Sequence, residues 1–162
     1  MASTLPLLPT SSSLRMVREV GRGAFGVVYE CDDIKTKQKR AFKIVDVERA
    51  RKRFLDPWNE YHILSQIGAH THPHVIQFYG SVHLPSGDLG LILEYCDCEH
   101  MRSFLLKRGH LLELDAKMYM QQLALGLMYL YYQHRIVHRD LKLENLFLCT
   151  SKSDDTHPIL KI

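Results

Sequence analysis

Five polar side chains and one run of glycines have the types and spacings that phosphate chemistry uses. Residues 138–145 read His-Arg-Asp-Leu-Lys-Leu-Glu-Asn, with a carboxylate at Asp140, a cation two residues on at Lys142 and an amide oxygen five residues on at Asn145. Moving a phosphoryl group to a hydroxyl needs an acceptor for the hydroxyl proton, a counter-charge for the phosphate and an oxygen ligand for Mg²⁺. The reaction is chiefly positioning and charge neutralisation, and these three residue types supply both. Far upstream, Gly21-Arg22-Gly23-Ala24-Phe25-Gly26-Val27-Val28 reads G-x-G-x-x-G-x-V. Glycines let backbone N–H groups approach anionic oxygens with no Cβ in the way. A dinucleotide-binding loop would lead straight into a helix, and a P-loop would follow its last glycine with Lys-Ser/Thr. Here β-branched Val27 and Val28 follow instead. Two readings remain for the run taken alone, a glycine flap laid over phosphates and an ordinary glycine-rich hairpin.

The other two candidates are Lys43 and Glu60. Lys43 stands in the run Ala41 to Val47 with apolar neighbours Phe42, Ile44 and Val45, so its ammonium is expected at a cleft. Glu60, Leu64 and Ile67 fall at i, i+4 and i+7, which puts a carboxylate on the same helix face as two aliphatic side chains. A half-buried carboxylate needs a cation, because leaving it unpaired costs about 3–5 kcal/mol. Lys43 is the natural partner. The competing reading leaves Glu60 solvated and pairs Lys43 with Glu48 or with nothing.

These residues need elements to hold them. Strand patterning from Met16 through the glycines to Cys31 predicts a hairpin, and Ala41 to Val47 predicts a third strand with Lys43 and Val45 on one face and Phe42 and Ile44 on the other. Trp58, Tyr61, Leu64 and Ile67 recur at helical spacing after Asp56-Pro57, until Gly68 stops the helix. Val75 to Leu84 and Leu89 to Tyr95 predict a second hairpin around Pro85-Ser86-Gly87-Asp88. Helices are expected over Glu99 to Lys107 and Asp115 to Gln133, a loop over Ile136 to Leu148 and a last strand from Ile159. The polar and basic stretch Lys35 to Arg53 is expected to be a solvated face. His70-Thr71-His72-Pro73-His74 and Cys96-Asp97-Cys98 are read as structural rather than metal-binding, the latter because it lacks a second ligand pair.

The H-R-D-L-K-x-x-N run closely resembles the catalytic loop of protein kinases, and with the upstream motifs in order the resemblance covers nearly the whole chain from Met16. It implies an α+β, two-lobed kinase-like fold, with a complete β-rich N-lobe through about Glu94 and only the start of the helical C-lobe. It implies ATP and Mg²⁺ as cofactors. Val20, Gly21, Arg22, Gly23, Ala24, Phe25, Gly26, Val27 and Val28 would form the flap over ATP. Val28 and Ala41 would wall the adenine, with Leu146 beneath it. Lys43 would hold the α- and β-phosphates, oriented by Glu60. Leu93 would control the back of the pocket, and the backbone of Glu94, Tyr95 and Cys96 would meet adenine. Asp140 would accept the substrate's proton, Lys142 would neutralise the γ-phosphate and Asn145 would bind Mg²⁺. Arg139 would read a phosphorylated activation loop. Lys142 with Glu144-Asn145 resembles the serine/threonine-directed form, and Leu143, Phe147 and Leu148 resemble calmodulin-dependent-like and polo-like groups.

In such domains a strand like Leu160-Lys161-Ile162 continues, after one more residue, into D-F-G, whose Asp holds the main Mg²⁺. An incomplete catalytic domain is therefore expected. Two functions follow from the resemblance. One is an ATP-dependent serine/threonine protein kinase acting on protein hydroxyls. The other is a catalytically inactive, kinase-like regulatory or ATP-binding module. Without covering helices, the face holding Met118, Leu123, Leu127 and Leu130 is expected to be exposed and aggregation-prone.

Composition narrows the remaining classes. The 162 residues are 46% hydrophobic and 24% charged, which suits a single globular domain over residues 16–162 behind a short disordered leader, 1–15. Lys and Arg exceed Asp and Glu by 21 to 18, too little to make nucleic acid or membrane the main partner. The longest apolar run, Leu123 to Tyr132, is well short of the ~18 residues that cross a bilayer. Four irregularly spaced cysteines suit free thiols in the cytoplasm, with the nucleus as a further possibility. A protein substrate is the partner implied, and oligomeric state is not legible.

Overall fold

Strand pairing organises the first half of the chain. The computed structural model describes residues 13–23, 26–68, 70–150 and 157–162, so most of the expected leader, Ala24 and Phe25 lie outside the described residues. The chain divides into two compact units, residues through 68 with 78–95, and residues 69–77 with 96–162.

The first unit is a five-stranded antiparallel sheet built from β1 (Leu14–Gly23), β2 (Gly26–Asp33), β3 (Gln38–Val45), β4 (Phe78–His83) and β5 (Leu89–Glu94), in the order β1-β2-β3-β5-β4. β1 begins at Leu14, which is buried and paired with Asp33, so strand structure is present two residues before Met16. Residues alternate between faces as a pleated strand requires. On one face Tyr29, Cys31, Phe42 and Leu84 pack with Ile44 and Ile92. Gly90 lies across from Ile44 on that face, and a Cβ there would fall 2.2 Å from the Phe42 ring, so the glycine makes room for the aromatic. On the other face Val45, Leu89 and Leu91 pack with Trp58, the N-cap of α2 (Asn59–Ile67), and with Tyr61 and Leu64 of that helix, as the helical spacing predicts.

Three expectations for the chain through residue 95 need correction. The third strand stops at Val45, and a six-residue helix, α1 (Val47–Lys52), starts at once because the Asp46 side chain accepts from Arg49 N at 2.8 Å and caps it. Residues 75–77 are not strand, since Val75 N donates to His72 O and Ile76 N to Ile162 O instead of joining the sheet. The basic stretch is not uniformly solvated. Arg40 is buried with its guanidinium 3.9 Å from the Tyr79 ring centroid, while Lys39 and Lys43 are engaged by Glu30 and Glu60.

The second unit holds α3 (Met101–Arg108), α4 (Glu113–His134) and the two-stranded sheet of β6 (Phe147–Cys149) and β7 (Ile159–Lys161). His100 caps α3 through Nδ1, which accepts from Ser103 N at 3.2 Å, and Gly109 ends it at φ +83. α4 packs on β7 through Gln122, whose Oε1 accepts from Leu160 N at 2.7 Å, and through Gly126, where a Cβ would meet His74 O at 2.8 Å. This packing corrects the expected exposed face. Leu130 is buried and Met118, Leu123 and Leu127 are partly covered, while Leu114, Met120, Leu125, Met128, Tyr131 and Tyr132 are exposed. Among the described residues no helix is long and apolar enough to cross a membrane.

Candidate active site

The candidate residues of the first unit share one sheet face. Val28 lies opposite Lys43, Glu30 opposite Ala41, and Ala41 opposite Leu93. Opposed residues point the same way, so Val28, Ala41, Lys43 and Leu93 line one surface. α2 is seated on that face by Tyr61 and Leu64, which brings Glu60 over Lys43. The Lys43 ammonium donates to both carboxylate oxygens of Glu60, at 2.7 and 2.6 Å. The alternative partner is engaged elsewhere, because Glu48 pairs with Lys52 at 2.6 Å one helical turn away. Both members of the Lys43–Glu60 pair keep 31% and 40% of their side-chain exposure, so the pair adds little to stability. What it does is fix the position of Nζ.

The glycines divide into two kinds. A Cβ on Gly26 would lie 1.8 Å from the Ile44 carbonyl oxygen, so Gly26 is required by the close approach of β2 to β3. Gly21 has nothing within 4 Å of such a Cβ, and Gly23 meets only Gly26 O at 4.0 Å. The space a side chain would fill at these two positions is open, as a phosphate flap requires. Arg22 holds Glu19 through two hydrogen bonds, at 3.0 and 2.6 Å, while Val20 is exposed and Val27 is partly buried against the first core cluster. Glu94 ends β5 opposite Arg40, Tyr95 is the last residue of the first unit, and Cys96 is the first of this stretch in the second.

In the second unit the loop is anchored at its end by Leu146, which is buried and accepts from Met101 N at 2.7 Å. Arg139 has φ +64, a left-handed conformation uncommon outside glycine, and it turns the chain between His138 and Asp140. Asp140 N donates to His138 Nδ1 at 3.3 Å. Burial lowers the pKa of His138, which keeps the imidazole neutral and Nδ1 able to accept. The Asp140 carboxylate accepts from Lys142 Nζ at 2.9 and 2.8 Å and from Asn145 Nδ2 at 2.8 Å. Asn145 Nδ2 also reaches Asp140 O at 2.9 Å. The hydrogen bond from Lys142, then that from Asn145, holds the Asp140 carboxyl below its usual range. Asp140 is therefore an ionised, solvent-facing acceptor beside a lysine. With the Asn145 amide nitrogen committed to Asp140, its Oδ1 is the atom left for a cation.

No group of three metal-ligating side chains occurs among the described residues. Mg²⁺ is bound through one or two protein oxygens together with phosphates and water, and Asn145 Oδ1 is an oxygen of that kind. Two histidines of the run 70–74 make packing and hydrogen-bond contacts. His72 stacks on Tyr129 with ring centroids 4.6 Å apart, and His74 Nδ1 lies 3.0 Å from Leu160 O. Asp97 likewise ties the chain to Thr150, accepting from its N at 2.7 Å and from its hydroxyl. The feature that motif reading missed is Glu30, buried on the same face as Val28 and Ala41 and bonded to Tyr95. Its signal was present in the strand alternation, which puts a charged residue two positions from Val28 on the inward face.

Comparison with known proteins gives a concordant result. The family model described as the protein kinase domain matches residues 14–162. Serine/threonine-protein kinase ATG1b of Arabidopsis thaliana is 36% identical over 90% of this chain and 19% of its own length. Serine/threonine-protein kinase 33 of Mus musculus is 33% identical over 86% of this chain and 28% of its own. Serine/threonine-protein kinase PLK2 of Mus musculus is 35% identical over 80% of this chain and 18% of its own. The chain thus spans between 18% and 28% of the length of these relatives.

Proposed function

We propose that this chain, which belongs to the protein kinase family, serves ATP-dependent phosphate transfer to serine and threonine hydroxyls of proteins. The interlocked set Asp140, Lys142 and Asn145 carries the reading, because it puts a base, a phosphate counter-charge and an oxygen ligand within one hydrogen-bonded loop. In this reading Asp140 orients the acceptor hydroxyl and takes its proton as the new O–P bond forms and the bond from the γ-phosphorus to ADP breaks. Lys142 offsets charge on the transferred group, and Lys43, held by Glu60, positions the α- and β-phosphates. Gly21 and Gly23 offer backbone N–H groups to the phosphates, with Val20, Arg22 and Val27 as the strand ends that carry them. Val28 and Ala41 contact the base, and the backbone of Glu94 hydrogen-bonds it. Asn145 Oδ1 holds the Mg²⁺, whose charge shields the phosphates when bound. Lys142 in the loop and the names of the relatives support serine and threonine as acceptors. Four free thiols favour a reducing compartment, the cytoplasm or nucleus.

A second reading is a nucleotide-binding regulatory module, in which the Lys43–Glu60 pair and the glycine run hold nucleotide without transfer. One experiment separates the two. The purified chain is incubated with γ-labelled Mg-ATP and peptides carrying Ser, Thr or Tyr, alongside Asp140→Asn. Label on Ser and Thr that disappears in the variant supports the kinase reading, and label on Tyr overturns the acceptor class. Nucleotide binding with no transfer at all supports the regulatory module.

A further inference from the structure

Glu30 is the most deeply buried acidic side chain among the described residues, at 2% exposure. It sits mid-strand in β2, two residues from Val28 and across from Ala41. Taking a carboxylate out of water is costly, and an apolar residue in such a place is often as stable or more so. Glu30 nevertheless draws in side chains from β1, β3 and the end of the first unit. It pairs with Arg18 at 2.8 Å, accepts from Lys39 Nζ and accepts from the Tyr95 hydroxyl at 3.0 Å. Arg18 also donates to the Tyr95 oxygen at 3.3 Å, and the Lys39 ammonium lies 5.6 Å from the Tyr95 ring centroid. Tyr95 is held by every other member of the cluster.

The location of Tyr95 gives this cluster its consequence. The next residue, Cys96, already belongs to the second unit, so Tyr95 is where the chain leaves the sheet. Beyond Glu94, paired with Arg40, the ladder between β3 and β5 offers no further backbone support. The Tyr95 side chain takes over from the ladder and ties the departing backbone to β1, β2 and β3.

We propose that Glu30 is a positioning residue for base recognition: by holding the Tyr95 hydroxyl it pre-sets the backbone at Glu94 and Tyr95 that hydrogen-bonds the nucleobase. The proposal rests on the nucleotide-binding reading above. A backbone already fixed in its binding geometry loses less conformational freedom when ligand arrives, and the saving appears as affinity. The protonation states suit the role. The hydrogen bond from Lys39 keeps the Glu30 carboxyl below its usual range and therefore ionised, while burial, then the bond to Glu30, raises the Tyr95 phenol and keeps it a donor. The phosphates are held elsewhere, by Lys43 and the glycine backbone, so the effect is confined to the base.

That confinement supplies the test. Calorimetric titrations of the full chain with Mg-ATP and with Mg-tripolyphosphate, which has no base, are made for the wild type, Tyr95→Phe, Glu30→Gln and the double variant. Loss of the buried hydroxyl hydrogen bond predicts about a three- to tenfold weaker ATP affinity in Tyr95→Phe, and Glu30→Gln, which keeps one acceptor oxygen but removes the charge that orders Arg18 and Lys39, weakens it in the same direction. Tripolyphosphate affinity is unchanged, and the double variant is no weaker than the worse single one. Unchanged ATP affinity overturns the proposal. So does an equal loss for both ligands, which would mean general loosening of the sheet. Should Glu30→Gln fail to fold, Tyr95→Phe decides alone, because it keeps the ring and removes only the hydroxyl. A folded wild type that binds neither ligand overturns the nucleotide reading itself, an outcome distinct from a wild type that binds both and variants that bind equally well.

Discussion

Gly26→Ala is the substitution whose effect the structure specifies most tightly. The added Cβ would lie 1.8 Å from the Ile44 carbonyl oxygen and 2.9 Å from its carbon. Both obstacles are backbone, so no side chain can rotate away. Reaching an ordinary contact near 3.4 Å requires a displacement of 3.4 − 1.8 = 1.6 Å, about a third of the ~4.8 Å spacing between strands. β2 must part from β3 around the Gly26–Val45 and Val27–Ile44 pairs. Overpacking of this kind costs about 1–3 kcal/mol, and a lost ladder hydrogen bond adds about 1 kcal/mol. Lower entropy of the unfolded chain returns about 0.4–1 kcal/mol. The net expectation is a loss of roughly 2 kcal/mol. Gly21→Ala meets open space and no positive φ, so the same entropy term makes it neutral or slightly stabilising. Urea unfolding followed by fluorescence of Trp58, the single tryptophan and part of the α2 packing, reads the first unit directly. With a slope of ~2 kcal/mol per molar, Gly26→Ala should lower the midpoint by about 1 M. Equal midpoints for Gly26→Ala and wild type, or an equal drop for Gly21→Ala, would refute the division of the glycines into a structural and an open set.

Three further outcomes are expected. Gly126→Ala gains about 1 kcal/mol of helix propensity but drives a Cβ to 2.8 Å from His74 O and 3.1 Å from Ile162, so overpacking at about 1–3 kcal/mol should prevail; a higher melting temperature by far-UV circular dichroism would contradict the α4 packing. Cys31 is fully buried and its thiol is pushed up to about 12 by burial, then by Asp32, so iodoacetamide at about pH 8 should leave it unmodified in the folded chain and label it on unfolding; labelling of Cys31 in the native protein, mapped by mass spectrometry, would contradict its place in the core. The Glu30 carboxyl is held below its ordinary 4.5, chiefly by Lys39, so its contribution to stability is full above that value and is lost as pH falls through the folded-state pKa; urea midpoints should drop more steeply below about pH 4.5 for wild type than for Glu30→Gln, and parallel acid limbs would argue against an ionised Glu30.

The strands and the loop chemistry were legible because their signals are local. Alternation in residues 41–45 separates Lys43 from Phe42 and Ile44, and helical spacing separates Glu60 from the solvent side of α2, so their meeting follows from two independent patterns. The compact run 138–145 needs only its own backbone to bring Asp140, Lys142 and Asn145 together. Other features depend on partners distant in sequence. α4 carries Leu, Met and Tyr around most of its circumference, so periodicity could not select the packed side. Gly126 and Gln122 mark that side only once β7 and His74 are seen against them. α1 is too short for an apolar stripe, and only the Asp46 cap announces it. Arg40 sits in a basic stretch, yet it is buried because Tyr79, from another strand, lies beneath its guanidinium. The two uses of glycine within one motif were equally hidden, since they differ only in what β3 places beside each Cα.

The central claim is that the Lys43–Glu60 pair belongs to a nucleotide site. Titration calorimetry of the purified 162-residue chain with Mg-ATP, against Lys43→Met, tests it most directly. The account predicts saturable binding by the wild type and at least a tenfold loss in the variant, roughly the value of one charge-assisted phosphate contact, with cooperative melting retained in both. Binding that survives Lys43→Met unchanged, or no binding by a wild-type chain that melts cooperatively, would contradict it.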